Sequence, residues 1–461
     1  MSDKGITTID PTTGEKIKDY PLMSSGEINS TIENCHKAFK EWKLKSPKER
    51  GEVLKKIGQK LIEHKSDLAK LMTQEMGKLL KQSHQEVKLC AGICDYTAEN
   101  GPKELADEDR DLPNGGRGRI VYSPIGVIYG IQPWNYPAYQ VIRYAIANLM
   151  AGNGVLLKHA ESVTGCGQKI QEIFEDAGLP KGLFATLIIN HDQSNDVIKH
   201  DLVRGVTLTG SPGAGEIIGE LAGKHLKKTV LELGANDAYI VLADADIAKS
   251  VEACVKGRIY NNGETCIAAK RFVVVDAVYD QFKEAFVKAM KDIKHGDPTK
   301  DGVDIGPMSR EDLREGLHKQ VTESIKKGAK LLCGGEMPSG KGFYYPSTVL
   351  EHVKAGQPAY DEELFGPVAS LIKAKDAEDA MRIANDSLFG LGGGIFTEDE
   401  DAAFEMAAKH FDTGMVFINS FGLAQPNMPF GGVKRSGYGR EHGGFGVKEF
   451  VNAKAIMRLE M

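Results

Sequence analysis

Gly205-Val206-Thr207-Leu208-Thr209-Gly210-Ser211-Pro212-Gly213-Ala214-Gly215 reads as a strand, a tight turn and the start of a helix. Small residues in the turn let backbone approach a ligand, and free amides at a helix start favour an anion such as pyrophosphate. The segment is not a GxGxxG fingerprint, and no acidic residue stands where that fingerprint would place one. From this stretch alone, a phosphate contact and a merely structural turn both stay open.

Outward from it, short apolar runs at 125–131, 155–157 and 185–189 alternate with helix-like segments such as 162–177. Strand and helix in alternation imply parallel sheet built from βαβ units, an α/β fold class. The alternation resumes near residue 235, with strands expected at 238–242, 271–275 and 416–419 and a helix at 279–293, which predicts a second α/β domain. Residues 24–100 read as helices. Ser24-Ser25-Gly26-Glu27 resembles a capping box, Ser46-Pro47-Lys48-Glu49 is a second helix start, and a third helix from Ser66 stops near Gly77. Residues 102–118, polar and rich in Gly and Asp, read as a connecting loop. The tail at 455–461 has the two-residue period of a strand, and 119–122 is its expected partner.

A chain of 461 residues exceeds one ordinary core, so two or three domains are expected. Its hydrophobic content of 41% and charged content of 26% are those of a soluble globular protein. A formal net charge of -6, with no basic run interleaved with aromatics, argues against nucleic acid as a partner. The 7 cysteines are odd in number and scattered, which argues against a disulfide framework and for a reducing compartment. No metal is expected, since no second cysteine pair has zinc-ligand spacing and no HExxH occurs. The polar start Met1-Ser2-Asp3-Lys4-Gly5 lacks an apolar signal region, and no window approaches the length of a bilayer span. No membrane association is expected, and the cytoplasm is the default location.

The chemistry is carried by Asn261-Asn262-Gly263-Glu264-Thr265-Cys266 and by Leu231-Glu232-Leu233-Gly234. A thiol attacks carbonyl carbon well only as thiolate, and an unperturbed cysteine has a pKa of about 8.5. A base or an electropositive pocket must raise the thiolate fraction. Glu232 is a candidate base. Most buried cysteines are small apolar filler, so this pair needs support from the rest of the chain. Val155-Leu156-Leu157-Lys158-His159-Ala160-Glu161 adds a strand running into a lysine, at the strand end where open α/β sheets hold ligands. A solvated lysine ending the strand is the alternative.

In order along the chain stand Pro133-Trp134-Asn135-Tyr136-Pro137, Leu157-Lys158, Thr209-Gly210-Ser211, Leu231-Glu232-Leu233-Gly234 and Asn261-Asn262-Gly263-Glu264-Thr265-Cys266. Glu362-Glu363-Leu364-Phe365-Gly366-Pro367-Val368 and Pro429-Phe430-Gly431-Gly432-Val433-Lys434-Arg435-Ser436-Gly437-Tyr438-Gly439-Arg440-Glu441 follow. Together these resemble the aldehyde dehydrogenase superfamily over nearly the whole chain. The resemblance implies NAD(P)-dependent oxidation of an aldehyde to the acid. Cys266 is then the nucleophile that forms a thiohemiacetal and later a thioester. Asn135 and the Cys266 amide hold the oxyanion, and Glu232 activates water. For the cofactor, it implies that Lys158 contacts the adenosine ribose, Ser211 and its helix start the pyrophosphate, and Glu363 the nicotinamide ribose, with Phe365 packed beside it. Trp134, Gly210, Gly215 and Leu233 complete that set. Glu161 matches a carboxylate that bonds ribose hydroxyls and would repel a 2′-phosphate, so NAD is expected as the preferred cofactor, with NADP as the alternative.

The same resemblance implies three parts: a dinucleotide-binding domain at 1–112 and 125–234, a catalytic domain at 235–440, and an oligomerisation arm at 113–124 and 441–461. Two Rossmann-like α/β domains plus a small β arm imply a homodimer or homotetramer. Leu156-Leu157-Lys158-His159-Ala160, Cys266-Ile267-Ala268-Ala269-Lys270-Arg271-Phe272 and Leu317-His318-Lys319-Gln320-Val321 are similar to the bacterial succinate-semialdehyde dehydrogenases. Arg143, eight residues after Asn135, stands where such enzymes place an arginine for the distal carboxylate. A second arginine of that group is replaced by Tyr260, and Arg258 is a candidate substitute. Glu264 stands where glutamine is usual and would add charge near the thiol. The competing readings are a neutral aldehyde, an acyl-CoA-forming oxidation, and a non-catalytic structural member of the fold. The presence of Glu232 argues against acyl-CoA formation, and the full set Cys266, Asn135 and Glu232 argues against a structural role.

Overall fold

The computed structural model describes residues 5–113 and 115–459. The start at 1–4 and the last two residues of the tail lie outside the described residues. In the first sheet five parallel strands lie in the spatial order Lys228–Glu232, Val203–Thr209, Val127–Gln132, Gly154–His159 and Phe184–Thr186. The short strand Gly437–Tyr438 joins antiparallel at the Lys228–Glu232 edge. Gly154–His159 is buried along its whole length, which is why it reads as a continuous apolar run rather than an alternating one.

From Val127–Gln132 the chain steps outward to Gly154–His159 and Phe184–Thr186, then returns to lay Val203–Thr209 on the opposite flank. The strand order therefore reverses between Val127–Gln132 and Val203–Thr209. Loops leaving the C-terminal ends of those two strands, with Pro133-Trp134-Asn135 in one and Gly210-Ser211 in the other, diverge at this switch point. Such a crevice is where open α/β sheets hold ligands.

The second sheet orders Lys330–Cys333, Thr348–Glu351, Val368–Ala374, Arg271–Val275, Ala238–Val241, Gly393–Phe396 and Phe417–Ile418. All its pairings are parallel except the first. Arg271–Val275 has the bounds that the sequence predicts and is fully buried. Glu232 closes a first-sheet strand, while Cys266 and Glu363 precede second-sheet strands by a few residues.

Helices cover the first sheet. Ser25–Trp42 and Pro47–Glu63 begin with complete capping boxes, Ser24 with Glu27 and Ser46 with Glu49. Lys65–Met76 stops at Gly77, which takes φ 80 in the left-handed region. Among the described residues, no helix is long and apolar enough to cross a membrane.

The tail pairs as expected, though it starts earlier. Val451–Arg458 runs antiparallel to Arg117–Pro124, with Ala455 opposite Ile120 and Ala453 opposite Tyr122. The expected loop at 102–118 is corrected. Glu108–Asp111 forms the third strand of this arm, which therefore begins before residue 113. Its Glu-Asp-Arg-Asp sequence has no apolar face to betray it. Polar cross-strand pairs hold it instead: Arg119 Nε donates to Asp109 at 2.7 Å and the Tyr122 hydroxyl donates to Glu108 at 2.5 Å. A hairpin of Ile6–Ile9 with Lys16–Tyr20 also forms ahead of the first helix, where no strand was expected.

Gly437 sits at φ 109, and a Cβ there would lie 1.9 Å from the Leu231 carbonyl oxygen. Gly178 also has positive φ, but no atom lies within 4 Å of its would-be Cβ. Gly437→Ala is expected to cost roughly 2–4 kcal/mol of stability, against about 1 kcal/mol for Gly178→Ala. Urea unfolding midpoints check this, and equal shifts for the two variants would contradict the close strand contact.

Candidate active site

The cysteine loop rests on three successive left-handed residues, Asn261 at φ 55, Asn262 at φ 60 and Gly263 at φ 76. Asparagine tolerates this region better than most side chains. Gly263 is required by space as well, since a Cβ would lie 2.4 Å from the carbonyl carbon of Gly366. Asn262 Nδ2 donates to Gly77 O at 3.0 Å and Pro307 O at 2.8 Å, and its Oδ1 accepts from Gly306 N–H at 2.9 Å. Asn261 Nδ2 donates to Asn135 O at 2.9 Å and Glu264 O at 3.1 Å. Two asparagines thus tie this turn to distant loops.

The turn delivers Cys266 to the wall of a cavity of about 240 Å³. Trp134, Asn135, Gly210, Ser211, Leu233, Glu363 and Phe365 share that wall. Phe365 meets Trp134 edge-on, with ring centroids 5.8 Å apart. Asn135 Nδ2 donates one hydrogen to Glu264 O at 3.0 Å, which leaves its second for a ligand oxygen. Ser211 caps the helix Pro212–Lys224, its hydroxyl accepting from Ala214 N–H.

Glu232 is not on this wall, but it directly precedes Leu233, which is, and its charge reaches Cys266. It is 2% exposed and neither carboxyl oxygen has a hydrogen-bond partner. Burial pushes its pKa well above the usual carboxylate range, with Arg143 opposing and Glu441 reinforcing the shift. Burial likewise pushes the Cys266 thiol up to about 12, against the cations Arg143 and Lys270 and with Glu363 and Glu232.

Lys158 and Glu161 line a different, larger cavity of about 830 Å³, together with Ser162, His191, Arg310 and Arg314. Ser162 Oγ is buried there without a partner, which suits a polar ligand. The two cavities, the Gly213 amide at the Pro212 helix start and the Lys158 side chain fit a dinucleotide.

Four expectations are corrected. Gly215 lines neither cavity; a Cβ there would lie 2.6 Å from Leu233 Cδ1, so its smallness serves close helix packing. Arg143 is buried in an ion pair with Glu441, donates to Thr209 Oγ1 at 2.8 Å and lies outside the wall of the cysteine cavity. Arg258, the candidate for the second arginine, is buried, donates to Gly263 O at 2.6 Å and lies outside the wall of the cysteine cavity. Glu264 directs its carboxyl to Ser309 and is not among the charged groups that act most on the thiol. Its Oε1 accepts from Ser309 N–H at 3.0 Å, and burial pushes its pKa well up. Only its carbonyl faces Asn135.

Lys270 gained no role from the sequence, yet its ammonium donates to Cys266 O at 2.5 Å and pairs with Glu363 at 3.2 Å. A lysine directly before a fully buried strand was the available signal. Gln140 and Thr209 also reach the cavity wall unforeseen.

The family model described as "Aldehyde dehydrogenase family" matches residues 1–456. The chain is 44% identical to the succinate semialdehyde dehydrogenase [NAD(P)+] Sad of Escherichia coli K12, over 98% of this chain and 97% of that one. It is 42% identical to the succinate-semialdehyde dehydrogenase [NADP(+)] of Deinococcus radiodurans, over 98% and 95%. The solved succinic semialdehyde dehydrogenase of Streptococcus pyogenes, in complex with NADP+, superposes with a TM-score of 0.95 at 37% identity, covering 98% of this chain and 99% of that one. The chain belongs to the aldehyde dehydrogenase family and is an NAD(P)-dependent oxidoreductase.

A base must be deprotonated to take a proton from water. Because Glu232 has a raised pKa, kcat should climb with pH through a midpoint well above about 4.3, the value for a free glutamate. The pH profile of kcat at saturating substrate checks this; a flat profile from pH 5 to 8 would contradict the role.

Proposed function

We propose that the chain oxidises succinate semialdehyde to succinate with NAD as the preferred cofactor. The observation that carries the reading is one cavity shared by Cys266, Asn135 and Glu363, with Glu232 next in sequence to its Leu233 wall and without a hydrogen-bond partner among the described residues. The Cys266 thiolate attacks the aldehyde carbon. The developing oxyanion takes the second Asn135 amide hydrogen and the Cys266 N–H, fixed donors of the kind that contribute most to such steps. The dinucleotide, when bound, supplies the hydride acceptor, with Glu363 at the nicotinamide ribose, Ser211 at the pyrophosphate and Lys158 at the adenosine ribose. Loss of hydride from the thiohemiacetal leaves a thioester on Cys266. Glu232 then takes a proton from water, the hydroxide adds to the thioester carbonyl, and collapse releases the acid and the thiolate.

The names of the relatives support succinate semialdehyde as substrate. For the cofactor, Glu161 supports NAD, because an exposed carboxylate beside Lys158 would repel a 2′-phosphate. Several relatives are named for NADP(+), so this preference distinguishes the chain from them. The exposed terminal strand Val451–Arg458 supports a homo-oligomer built through the arm. The 7 unpaired cysteines support a reducing, cytoplasmic setting.

One assay series tests both parts. The ratio of kcat/KM for succinate semialdehyde over butyraldehyde should be roughly 10–100, the worth of one charged hydrogen-bonded contact. NAD should outperform NADP in the same assays. Indifference to the distal acid would remove succinate semialdehyde from the account, and equal use of the two cofactors would remove the role of Glu161.

A further inference from the structure

Lys270 is 1% exposed, and its position is fixed from both sides. Its N–H donates to Asp237 O at 3.2 Å, and its carbonyl accepts from Ser370 N–H at 3.0 Å, so neighbouring strands hold its backbone. The side chain then reaches three oxygens: Cys266 O at 2.5 Å, Thr265 O at 3.3 Å and Glu363 Oε1 at 3.2 Å. The first two are hydrogen bonds; the third is an ion pair in which Glu363 Oε1 accepts no hydrogen bond among the described residues. Glu363 in turn packs against the backbone that follows Glu232, since a Cβ on Gly234 would lie 2.6 Å from its Oε2. One buried cation therefore links the peptide of the nucleophile to the carboxylate of the cofactor cavity and, through it, to the segment of the base.

Stability does not account for such a group. A buried ion pair is often no better for folding than an apolar side chain of similar volume. Its location points to the thiol. The charged groups whose fields reach Cys266 are Arg143, Lys270, Glu363 and Glu232. Both cations are paired, Arg143 with Glu441 and Lys270 with Glu363, but Lys270 also donates to the carbonyl of Cys266 itself.

We propose that Lys270 is a positioning residue that ties the Cys266 peptide to Glu363 and supplies the positive charge that makes the thiol reactive. This rests on the reading of Cys266 as nucleophile and Glu363 as ribose contact. With ribose hydroxyls on Glu363, the carboxylate is shared and more of the ammonium's charge falls to the cysteine side. Occupancy of the cofactor site and readiness of the thiol are thereby coupled.

The test is the pH dependence of iodoacetamide alkylation of Cys266 in the free enzyme, read by peptide mass. Lys270→Met should move the midpoint upward by at least about one pH unit, tenfold in thiolate fraction. Lys270→Gln keeps a donor to Cys266 O without the charge and should shift as far. Lys270→Arg keeps the charge and should stay near the wild-type profile. If Lys270→Met is unstable because Glu363 is left unpaired, Lys270→Met with Glu363→Gln removes both charges. That double variant should regain the melting temperature, with a midpoint above the wild type but shifted less than in Lys270→Met, because the opposing Glu363 charge is gone as well. A Lys270→Met profile that overlays the wild type, or a loss of kcat that tracks melting temperature alone, overturns the proposal. The parent reading fails separately, if wild-type enzyme oxidises aldehydes without need of Cys266.

Discussion

The site depends on a strained turn held by side-chain amides. Asn261, Asn262 and Gly263 all occupy the left-handed region, which costs about 1–2 kcal/mol for each residue carrying a Cβ. The strain persists because Asn262 bonds three backbone groups from two other segments and Asn261 clasps the loop of Asn135. Strained backbone of this kind clusters at functional sites. Here it aims a thiol at a cavity formed by loops from two different sheets.

Burial is the second theme. Cys266, Glu232 and Glu363 are all pushed toward their neutral forms by exclusion from water, and Arg143 and Lys270 act against that on the thiol. Tight burial lets fixed dipoles and charges act strongly on a developing oxyanion. It also makes each unpaired charge costly, so the cations come paired, Arg143 with Glu441 and Lys270 with Glu363.

Much of this was legible in the sequence. Arg271–Val275 and both capping boxes follow from local rules that tertiary contacts only reinforce. Cys266, Asn135 and Glu363 were legible because their motifs carry them, whatever the geometry. Glu108–Asp111 was hidden because its pairing is polar, and periodicity reports only apolar faces. Arg143 was placed on a helix correctly, but its ion pair with Glu441 spans nearly 300 residues and no spacing rule reaches that far. Glu264 was misread for a similar reason, since only packing shows that its carboxyl turns toward Ser309. Lys270 lay in quoted sequence, yet its meaning depends on which way one side chain bends back.

The central claim is a covalent thioester on Cys266 that awaits water activated by Glu232. Its most direct measurement is mass analysis of the Cys266 peptide from Glu232→Gln enzyme, quenched during turnover with succinate semialdehyde and NAD. The account predicts a succinyl adduct on Cys266 that accumulates as about one NADH forms per subunit and then persists, because thioester hydrolysis has lost its base. NADH formation with an unmodified Cys266, or an adduct on any other residue, would contradict it.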